Sequence, residues 1–447
     1  MHKTLPKQPK VTGAISEVWA RESANALRKK YRIADISEVQ TGPFGSQLHQ
    51  ADYVENGTPI ITVEHLGDNR ILHNDLPMVT DADKKRLCRY LLKEGDIVFS
   101  RVGSVDRRAY VGKGEAGWLF SGRCLRVRVN SSGIDSRWLS YYFGLPAFKE
   151  YIRGIAVGAT MPSLNTTLLS DIEIEAPSFS EQCAIAKILS DLDEKIELNH
   201  RMNKTLEAIA QAFFKRWFVD FNFPDEKGRP YKDSGDRMVD SELGEIPEGW
   251  KAGRFSDFVS NMMEPLRPGE EICDRKYVPI ESLPMKQVGM IDDKSYLEAQ
   301  SSLVAFEKND ILFGAMRAYF HRVNFSPYKG VTRTTTFVLR PHKLSYLSYG
   351  LFLLNLESSV HYANLHSKGS TMPYAVWENS LSEMPAVIPD ESVLAMYHRI
   401  IYPLLQRISE LSDENKTLAK IRDALLPKLM SGKIRMGSQS WKGYQNG

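Results

Sequence analysis

The sequence is short of cysteine, because its 447 residues include only Cys88, Cys124, Cys183 and Cys273. These four are too widely scattered to predict either a zinc site or a disulfide framework. Long apolar runs are missing too, since no stretch approaches the roughly 20 residues that span a bilayer. The polar start of the chain lacks the apolar core and the cleavage site of a secretory signal. Together these absences predict a cytoplasmic protein without a membrane segment.

An excess of one charge is also absent, because the formal net charge at pH 7 is only +3. The chain therefore has no global basic field for nucleic acid, and any DNA-binding surface must come from local clusters. Such clusters occur at residues 84–89, at Arg107 with Arg108, and at Arg317 with Arg322. An ordinary solvated surface is the alternative interpretation of each cluster.

Patterns of catalytic residues are missing as well. The sequence has no Gly-x-Ser-x-Gly elbow, no Asn-Pro-Pro-Tyr motif and no Gly-Lys-Ser/Thr loop, and its ten histidines form no i, i+4 pair for a metal. Residues 112–117 match Gly-x-Gly-x-x-Gly, but a predicted strand follows where a dinucleotide site needs a helix. Asp390 with Glu414 and Lys416 resemble a nuclease spacing, but the last two lie on a predicted helix. The sequence thus predicts no catalytic residue, no metal ligand and no cofactor.

What the sequence does contain is an internal repeat. The tetrapeptide Asn-Lys-Thr-Leu begins at Asn203 and again at Asn415, 212 positions later. The sequence Gly-x-Thr-Met-Pro likewise occurs at residues 158–162 and 369–373. A period near 212 is much longer than that of a solenoid, which uses roughly 20–50 residues. We therefore predict two diverged copies of a domain-sized unit.

Each copy ends in a predicted long helix with an apolar heptad seam, from Ile185 to Trp217 and from Leu404 to Leu429. A helix of about 35 residues would reach ~50 Å. Two matching seams are expected to pair with each other, with Asn203 and Asn415 as buried residues that set the register. The alternative places these asparagines in solvent. Parallel and antiparallel pairing both remain open from the sequence.

Upstream of each helix, short β-branched and aromatic runs alternate with Gly, Pro, Asn and Asp. This texture predicts strands and turns, with occasional helices near residues 136–151 and 346–364. The predicted strands include residues 59–63, 96–99, 125–129 and 335–339.

Both copies carry polar loops rich in glycine, arginine, serine and threonine. Arginine can bond guanine as a fork, Ser and Thr can bond base edges or phosphates, and glycine lets backbone N–H groups approach the DNA backbone. The loops occupy equivalent repeat positions but differ in sequence, so they would bind two different half-sites. The DNA-binding residues predicted in the first copy are Thr41, Gly42, Phe44, Gly45, Ser46, Arg101, Ser104, Arg107, Arg108, Ser121, Arg123, Thr160 and Ser163. Those predicted in the second copy are Arg317, Tyr319, His321, Arg322, Thr332, Arg333, Thr334, Lys368, Ser370 and Thr371.

Over almost the whole chain, these features resemble the DNA specificity subunits of type I restriction-modification systems. The resemblance rests on Thr-Gly-Pro-Phe-Gly-Ser at residues 41–46, on Gly-Asp-Ile-Val-Phe-Ser-Arg at 95–101, on the two Gly-x-Thr-Met-Pro loops and on the two helices with Asn-Lys-Thr-Leu. Residues 261–268 depart from the pattern, because the second copy lacks Pro-Phe-Gly-Ser there.

The resemblance implies an α+β fold with an internal pseudo-two-fold repeat. Two tandem mixed α/β target-recognition domains would be joined by two long helices that pair as an antiparallel coiled coil. The implied boundaries are an N-terminal extension at 1–30, target-recognition domain 1 at 31–180, a central conserved helical region at 181–220, a linker at 221–249, target-recognition domain 2 at 250–390, a C-terminal conserved helical region at 391–435 and a tail at 436–447.

The resemblance also implies a function and partners. Each recognition domain would read one half of a bipartite, asymmetric site in double-stranded DNA. The helices would set the spacer between the halves and dock two methyltransferase subunits, through which restriction subunits join. Catalysis would belong to those partners, which would bind S-adenosylmethionine, magnesium and ATP. This chain would be a non-catalytic subunit without a cofactor. A coiled-coil scaffold that reads no DNA, or an enzyme with an unrecognised site, are the competing classes.

Overall fold

A computed structural model of the chain describes residues 28–43, 47–158, 160–269, 272–289, 293–300 and 302–436. The chain divides into two compact units. Unit 1 contains residues 1–194 and 418–447, and unit 2 contains residues 195–417. Each unit combines short strands with helices, which confirms the predicted mixed α/β class. Among the described residues, no helix is both long and apolar enough to cross a membrane.

The strands of unit 1 form a main antiparallel sheet and smaller pairings. Their bounds are β1 Lys29–Arg32, β2 Ser37–Thr41, β3 Thr58–Ile61, β4 Met78–Val79, β5 Ile97–Ser100, β6 Arg108–Tyr110, β7 Leu119–Phe120, β8 Cys124–Val129 and β9 Glu173–Ala176. The main sheet has the order β2-β8-β5-β6, a second sheet has the order β4-β3-β7, and β1 pairs with β9. Three of the predicted strands, at residues 59–63, 96–99 and 125–129, correspond to β3, β5 and β8.

Both faces of the main sheet in unit 1 are covered, which follows from the alternation of side chains along a strand. Phe99 packs with Trp138 in a core on the helical side, whereas Val98 packs with Ile60 in a core on the side of the smaller sheet. The helices of this part of the chain are α1 Ile33–Ile36, α2 Asp81–Arg86, α3 Ser136–Tyr142, α4 Pro146–Ile155, α5 Thr166–Ser170 and α6 Phe179–Phe214.

The predicted helix at residues 136–151 is two helices in the structure. Helix α3 begins after Asp135, whose side chain accepts a hydrogen bond from the Trp138 backbone N–H at 2.7 Å. It ends before Pro146, which lacks a backbone N–H and occupies the first position of α4. Proline at a helix start is favourable, and in a helix interior it is not. This explains why the apolar pattern continues while the helix breaks.

Unit 2 has a main antiparallel sheet as well. Its strands are β10 Met238–Ser241, β11 Gly244–Pro247, β12 Lys251–Arg254, β13 Val259–Met262, β14 Pro265–Leu266, β15 Lys276–Tyr277, β16 Leu303–Phe306, β17 Ile311–Gly314, β18 Val323–Phe325, β19 Gly330–Arg333, β20 Thr336–Pro341 and β21 Pro385–Ile388. The main sheet has the order β13-β20-β17-β18, and a second sheet has the order β14-β16-β19-β15. Helices α7 Leu344–Leu354 and α8 Glu357–Leu365 replace the single predicted helix at 346–364, and α9 is Glu391–Met430.

The polar segment 221–249, predicted as a linker, is part of unit 2. Strands β10 and β11 form a hairpin in it, with Met238 opposite Pro247. Phe223 and Ile246 are buried in the core of unit 2, and the Phe223 ring stacks on Trp250 with centroids 4.8 Å apart. The scattered apolar residues of this segment therefore anchor it, even though its average composition is typical of a loop.

Two long helices are present, as predicted: α6 has 36 residues and α9 has 40. Within unit 2, the buried residues Asn203, Glu207, Ala210 and Phe214 follow each other along α6 at spacings of three or four. A stripe of this kind marks the face that a helix packs against its neighbours. Helix α6 is followed by a π-helical turn, Lys215–Val219.

Candidate nucleic-acid interface

In unit 1, the predicted DNA-binding loops meet through their backbones. The N–H of Arg101 donates to the Arg123 carbonyl at 2.8 Å, and the N–H of Gly103 donates to the Pro162 carbonyl at 2.9 Å. Residues 101–107, which follow β5, are thus held between the turn before β8 and the Gly-x-Thr-Met-Pro loop. Gly103 has φ +77°, a conformation that glycine adopts without steric cost.

The loop after β2 joins the same group at its first residues. Gly42 donates its N–H to the Cys124 carbonyl at 3.2 Å. A Cβ atom at this position would lie 2.2 Å from the Ser121 carbonyl oxygen, so only glycine fits. The remaining predicted residues of this loop, Phe44, Gly45 and Ser46, lie outside the described residues.

The predicted residues of unit 1 differ in exposure. Ser104, Arg107, Arg123 and Thr160 are exposed, and Thr41, Arg101 and Ser163 are half-buried. Gly42 and Ser121 are buried and serve the packing of the loops. The exposed group offers two guanidinium groups and two hydroxyl groups, which are the donors that phosphates and base edges accept.

The structure corrects the expectation for Arg108. Its side chain is buried, with Nε donating to the Ser140 carbonyl at 2.7 Å and Nη1 donating to Asp68 at 3.2 Å. Burial lowers the pKa of this guanidinium, while Asp68 acts in the opposite direction. A Cβ at Gly144 would lie 2.0 Å from Arg108 Nη2, so the glycine leaves room for the arginine. Arg108 is therefore part of the framework beneath the loops.

In unit 2, the second set of loops meets in the same manner. The N–H of Arg317 donates to the Pro373 carbonyl at 2.7 Å, and the N–H of Ala315 donates to the Thr335 carbonyl at 2.9 Å. The hydroxyl of Tyr374 donates to the Thr334 carbonyl. Residues 315–322, 332–335 and 367–373 therefore form one group of neighbouring loops at the end of β17.

The predicted DNA-binding residues of unit 2 also differ in solvent exposure. Tyr319, Arg333, Thr334, Lys368, Ser370 and Thr371 are exposed, and Arg317 is half-buried. His321 and Thr332 are buried, and the His321 ring is 2.6 Å from the Asn355 side-chain oxygen. The half-buried Arg322 donates to the Ile280 carbonyl, and burial lowers its pKa. His321, Thr332 and Arg322 thus hold the loops in place, and the expectation that they face DNA is corrected.

Beneath the loops, each unit has a buried carboxylate that sequence reasoning missed. Arg128 donates to both Asp96 oxygens at 2.7 and 2.6 Å, and Arg340 donates to both Asp310 oxygens at 2.8 Å. The hydrogen-bonded carboxylates raise the pKa of the two arginines. The repeat contained this signal, since the Asp96 and Asp310 strand motifs correspond. Each ion pair supports the strand that leads into a loop.

The predicted register residues Asn203 and Asn415 are both buried in unit 2, and each forms hydrogen bonds with other residues. Asn203 Nδ2 donates to Ser412 Oγ at 3.2 Å and to the Ile408 carbonyl at 3.3 Å. Asn415 Oδ1 accepts a hydrogen bond from Asn199 Nδ2 at 2.9 Å. The polar contacts between α6 and α9 in this unit thus include Asn199 and Ser412, which the tetrapeptide repeat did not indicate.

Across the part of the chain that the structure describes, no group of three or more His, Cys, Asp or Glu side chains could hold a metal ion.

Comparison with known proteins gives concordant matches. Residues 28–208 match the family model of the type I restriction modification DNA specificity domain. The MjaIX specificity subunit of a type I restriction enzyme from Methanocaldococcus jannaschii is 28% identical, over 91% of this chain and 93% of its own length. The HindI specificity subunit from Haemophilus influenzae is 25% identical, over 91% of this chain and 99% of its own.

Among solved structures, the type I restriction-modification S subunit from M. genitalium is similar in fold. The TM-score is 0.58 at 14% identity, and the match covers 91% of this chain and 97% of the other. At this level of identity the likeness concerns the fold.

Proposed function

We propose that this chain belongs to the DNA specificity family of type I restriction-modification systems, and that each of its two units reads one half of a bipartite, asymmetric DNA site. The chain supplies the sequence specificity of its complex. Unit 1 would read one half-site through the exposed residues of its loops, and unit 2 would read the other.

One observation carries the proposal: a shared loop framework bears different side chains in the two units. The hydrogen bond from Gly103 to Pro162 in unit 1 corresponds to the one from Arg317 to Pro373 in unit 2. The two main sheets have the same connectivity, with the fourth strand between the first and the second. This common scaffold supports an internal pseudo-two-fold repeat. Since base-edge contacts specify sequence, different side chains on one framework would select different half-sites.

We further propose that α6 and α9 pair as an antiparallel coiled coil. Three contacts within unit 2 support this, since residue numbers rise along α6 as they fall along α9: Asn199 with Asn415, Asn203 with Ser412, and Ala210 with Tyr397. Buried amides paired in this way penalise slipped alignments, although they cost stability. A 36-residue helix spans about 54 Å, long enough to act as a ruler for the unspecified base pairs between half-sites.

In this proposal the chain is a non-catalytic subunit. Two methyltransferase subunits would dock on the helices, restriction subunits would join through them, and those partners would carry the catalytic chemistry with its cofactors. A coiled-coil scaffold without DNA reading remains the alternative. The two proposals predict a different salt dependence of DNA binding. For an interface with phosphate contacts, the logarithm of the binding constant falls linearly with the logarithm of the salt concentration.

The test of the proposed function is to co-express the chain with the methyltransferase subunits of its own operon and to map methylated adenines in the host DNA. We expect a split motif with an unspecified gap, which would define both half-sites at once. A continuous motif, or no methylation despite a stable complex, would favour the scaffold.

Single arginine variants should separate the two half-sites. We expect Arg123→Ala to relax one base position in only one half, and Arg333→Ala to do so in only the other, each by about 1–3 kcal/mol. The measurement is affinity for duplexes with each base pair substituted in turn. Lys227→Ala, in an exposed turn outside the loops, is the charge-matched control. Uniform weakening on all duplexes would mark a phosphate contact, and unchanged affinity would remove that arginine from the interface.

Shortening both long helices should change the gap without changing either half-site. Removal of seven residues from each helix takes out about 10.5 Å, or about three base pairs at 3.4 Å per base pair. Methylation mapping with the shortened chain measures the gap directly. The ruler proposal fails when the shortened chain methylates at the original gap.

A further inference from the structure

The turn that follows β17 in unit 2 has an unusual backbone. Its 3₁₀ segment, Ala318–Phe320, is flanked by Arg317 with φ +55° and His321 with φ +54°. Residues other than glycine rarely adopt this left-handed region, and where they do the strain is found at functional sites. In unit 1 a glycine, Gly103, occupies the position that corresponds to Arg317. The loop framework requires this conformation, and unit 2 meets it with a long cationic residue.

This turn presents two aromatic rings to solvent. Tyr319 is 49% exposed and Phe320 is 36% exposed, and their ring centroids are 4.9 Å apart. The Arg322 guanidinium lies 5.4 Å from the centre of the Phe320 ring. Aromatic side chains supply a large apolar surface that is normally buried in a core or an interface. An exposed pair held by a strained turn is therefore suited to contact a ligand.

The position of the turn indicates which ligand. The bond from the Arg317 N–H to the Pro373 carbonyl places it beside the Gly369 to Pro373 loop, where Thr371 and the 57% exposed Met372 face solvent. The rings are thus within the loop group that the proposed function assigns to DNA reading. The exposed Arg333 and Lys368 belong to the same loop group, which favours a polyanion over an apolar protein surface.

Unit 1 has no such pair in the corresponding turn, Ser104 to Asp106. Val105 is buried, and Asp106 forms an ion pair with Arg153 at 3.2 Å. The two units therefore differ in how the same turn is used. Unit 1 offers a hydroxyl group there, and unit 2 offers aromatic surface.

We propose that Tyr319 and Phe320 form an apolar wedge that packs against one base step of the half-site read by unit 2 and partly unstacks it. Apolar side chains inserted between base pairs open the stack and bend the duplex, and the energy of doing so depends on the sequence of that step. This inference rests on the proposed function, and it adds indirect readout at one half-site. The half-site read by unit 1 would be recognised without such a distortion.

The test uses the full chain and duplexes that carry 2-aminopurine at successive positions of the mapped site, since this base becomes fluorescent when unstacked. We expect the wild-type chain to raise the fluorescence at one step of one half-site. The Tyr319→Ala/Phe320→Ala variant should lose that signal and bind about tenfold more weakly. Phe320→Leu should retain part of the signal, because leucine also acts as a wedge. Leu243→Ala, an exposed apolar residue in the β10–β11 hairpin, is the control.

The outcomes separate the two levels of the proposal. Wild-type binding without preference for the mapped site would refute the proposed function together with the wedge. Specific binding with identical fluorescence and affinity in the double variant would refute the wedge alone. Normal DNA binding by the double variant, combined with loss of the methyltransferase subunits on co-purification, would instead assign the rings to a protein contact and overturn the inference.

Discussion

Arg340→Met should destabilise unit 2 by about 3–5 kcal/mol, because it leaves the Asp310 carboxylate buried without its cation. Asp310 is 2% exposed in its side chain and accepts two bonds from Arg340 at 2.8 Å, plus one from the Glu307 N–H at 2.7 Å. Methionine keeps the apolar stem and removes the charge. The measurement is urea denaturation combined with amide hydrogen exchange, which locates the lost stability.

A double variant that also removes the Asp310 charge tests whether the unpaired carboxylate causes the loss of stability. In Asp310→Asn/Arg340→Met the buried charge is absent, so at least half of the lost stability should return, as is seen when a buried ion pair is replaced as a whole. Arg128→Met is the matched variant of unit 1, where Asp96 has the same three hydrogen bonds. It should reduce exchange protection in unit 1. If Arg340→Met or Arg128→Met lowers the unfolding free energy by less than about 1 kcal/mol, the two ion pairs contribute no more than surface salt bridges do.

Loss of the Arg340–Asp310 ion pair should also weaken DNA recognition before it unfolds the chain. Strand β17 follows directly after Asp310 and ends at Gly314, where the reading loop of unit 2 begins. Recognition of the half-site assigned to unit 2 should therefore weaken first under mild destabilisation. The ion pair connects the stability of the sheet to the position of the loop.

The sequence predicts the elements of this fold better than their contacts. Strand β5 and the long helices follow from apolar periodicity, which is a local property. Arg107 and Arg108 appear equivalent in the sequence, yet Arg107 is exposed and Arg108 is buried. Arg107 lies in the turn before β6, where its N–H donates to the Ser104 carbonyl, whereas Arg108 is the first residue of β6 and its side chain bonds to Ser140 and Asp68. These contacts with distant residues distinguish the two arginines, and the local sequence does not show them.

Contacts between distant residues are harder still to predict. Asn203 and Asn415 occupy equivalent repeat positions, but Asn203 bonds to Ser412 and Asn415 bonds to Asn199. The repeat gives the equivalence of positions in the two copies, whereas the pairing depends on how the helices align. The left-handed conformation of Arg317 is also beyond sequence reasoning, since the local pattern gives no reason to expect positive φ at an arginine.

Glu207 should make the stability of unit 2 depend on pH. It is a 7% exposed residue on α6, and its Oε1 accepts bonds from the backbone N–H groups of Val288 and Gly289 at 3.2 and 3.3 Å. Burial raises the pKa of this carboxyl to about 7, and the two N–H groups only partly oppose the effect. The folded pKa thus lies above the unfolded value of 4.5. The resulting stability is fully present below pH 4.5 and is lost as the pH rises through about 7.

From this group alone, the unfolding free energy of unit 2 should fall by roughly 3 kcal/mol between pH 4.5 and pH 8, at about 1.4 kcal/mol per pKa unit. Glu207→Gln keeps an oxygen acceptor for both N–H groups and removes the ionisation. The variant should match the wild type near pH 4 and exceed it by a similar amount at pH 8. Urea denaturation across this pH range measures the difference, with Glu226→Gln as an exposed control. If the unfolding free energies of the wild type and Glu207→Gln change with pH in parallel, the Glu207 carboxylate does not cause the pH dependence of stability. The expected divergence would instead identify the packing of α6 against residues 288–289 as the acid-stabilised contact of this unit.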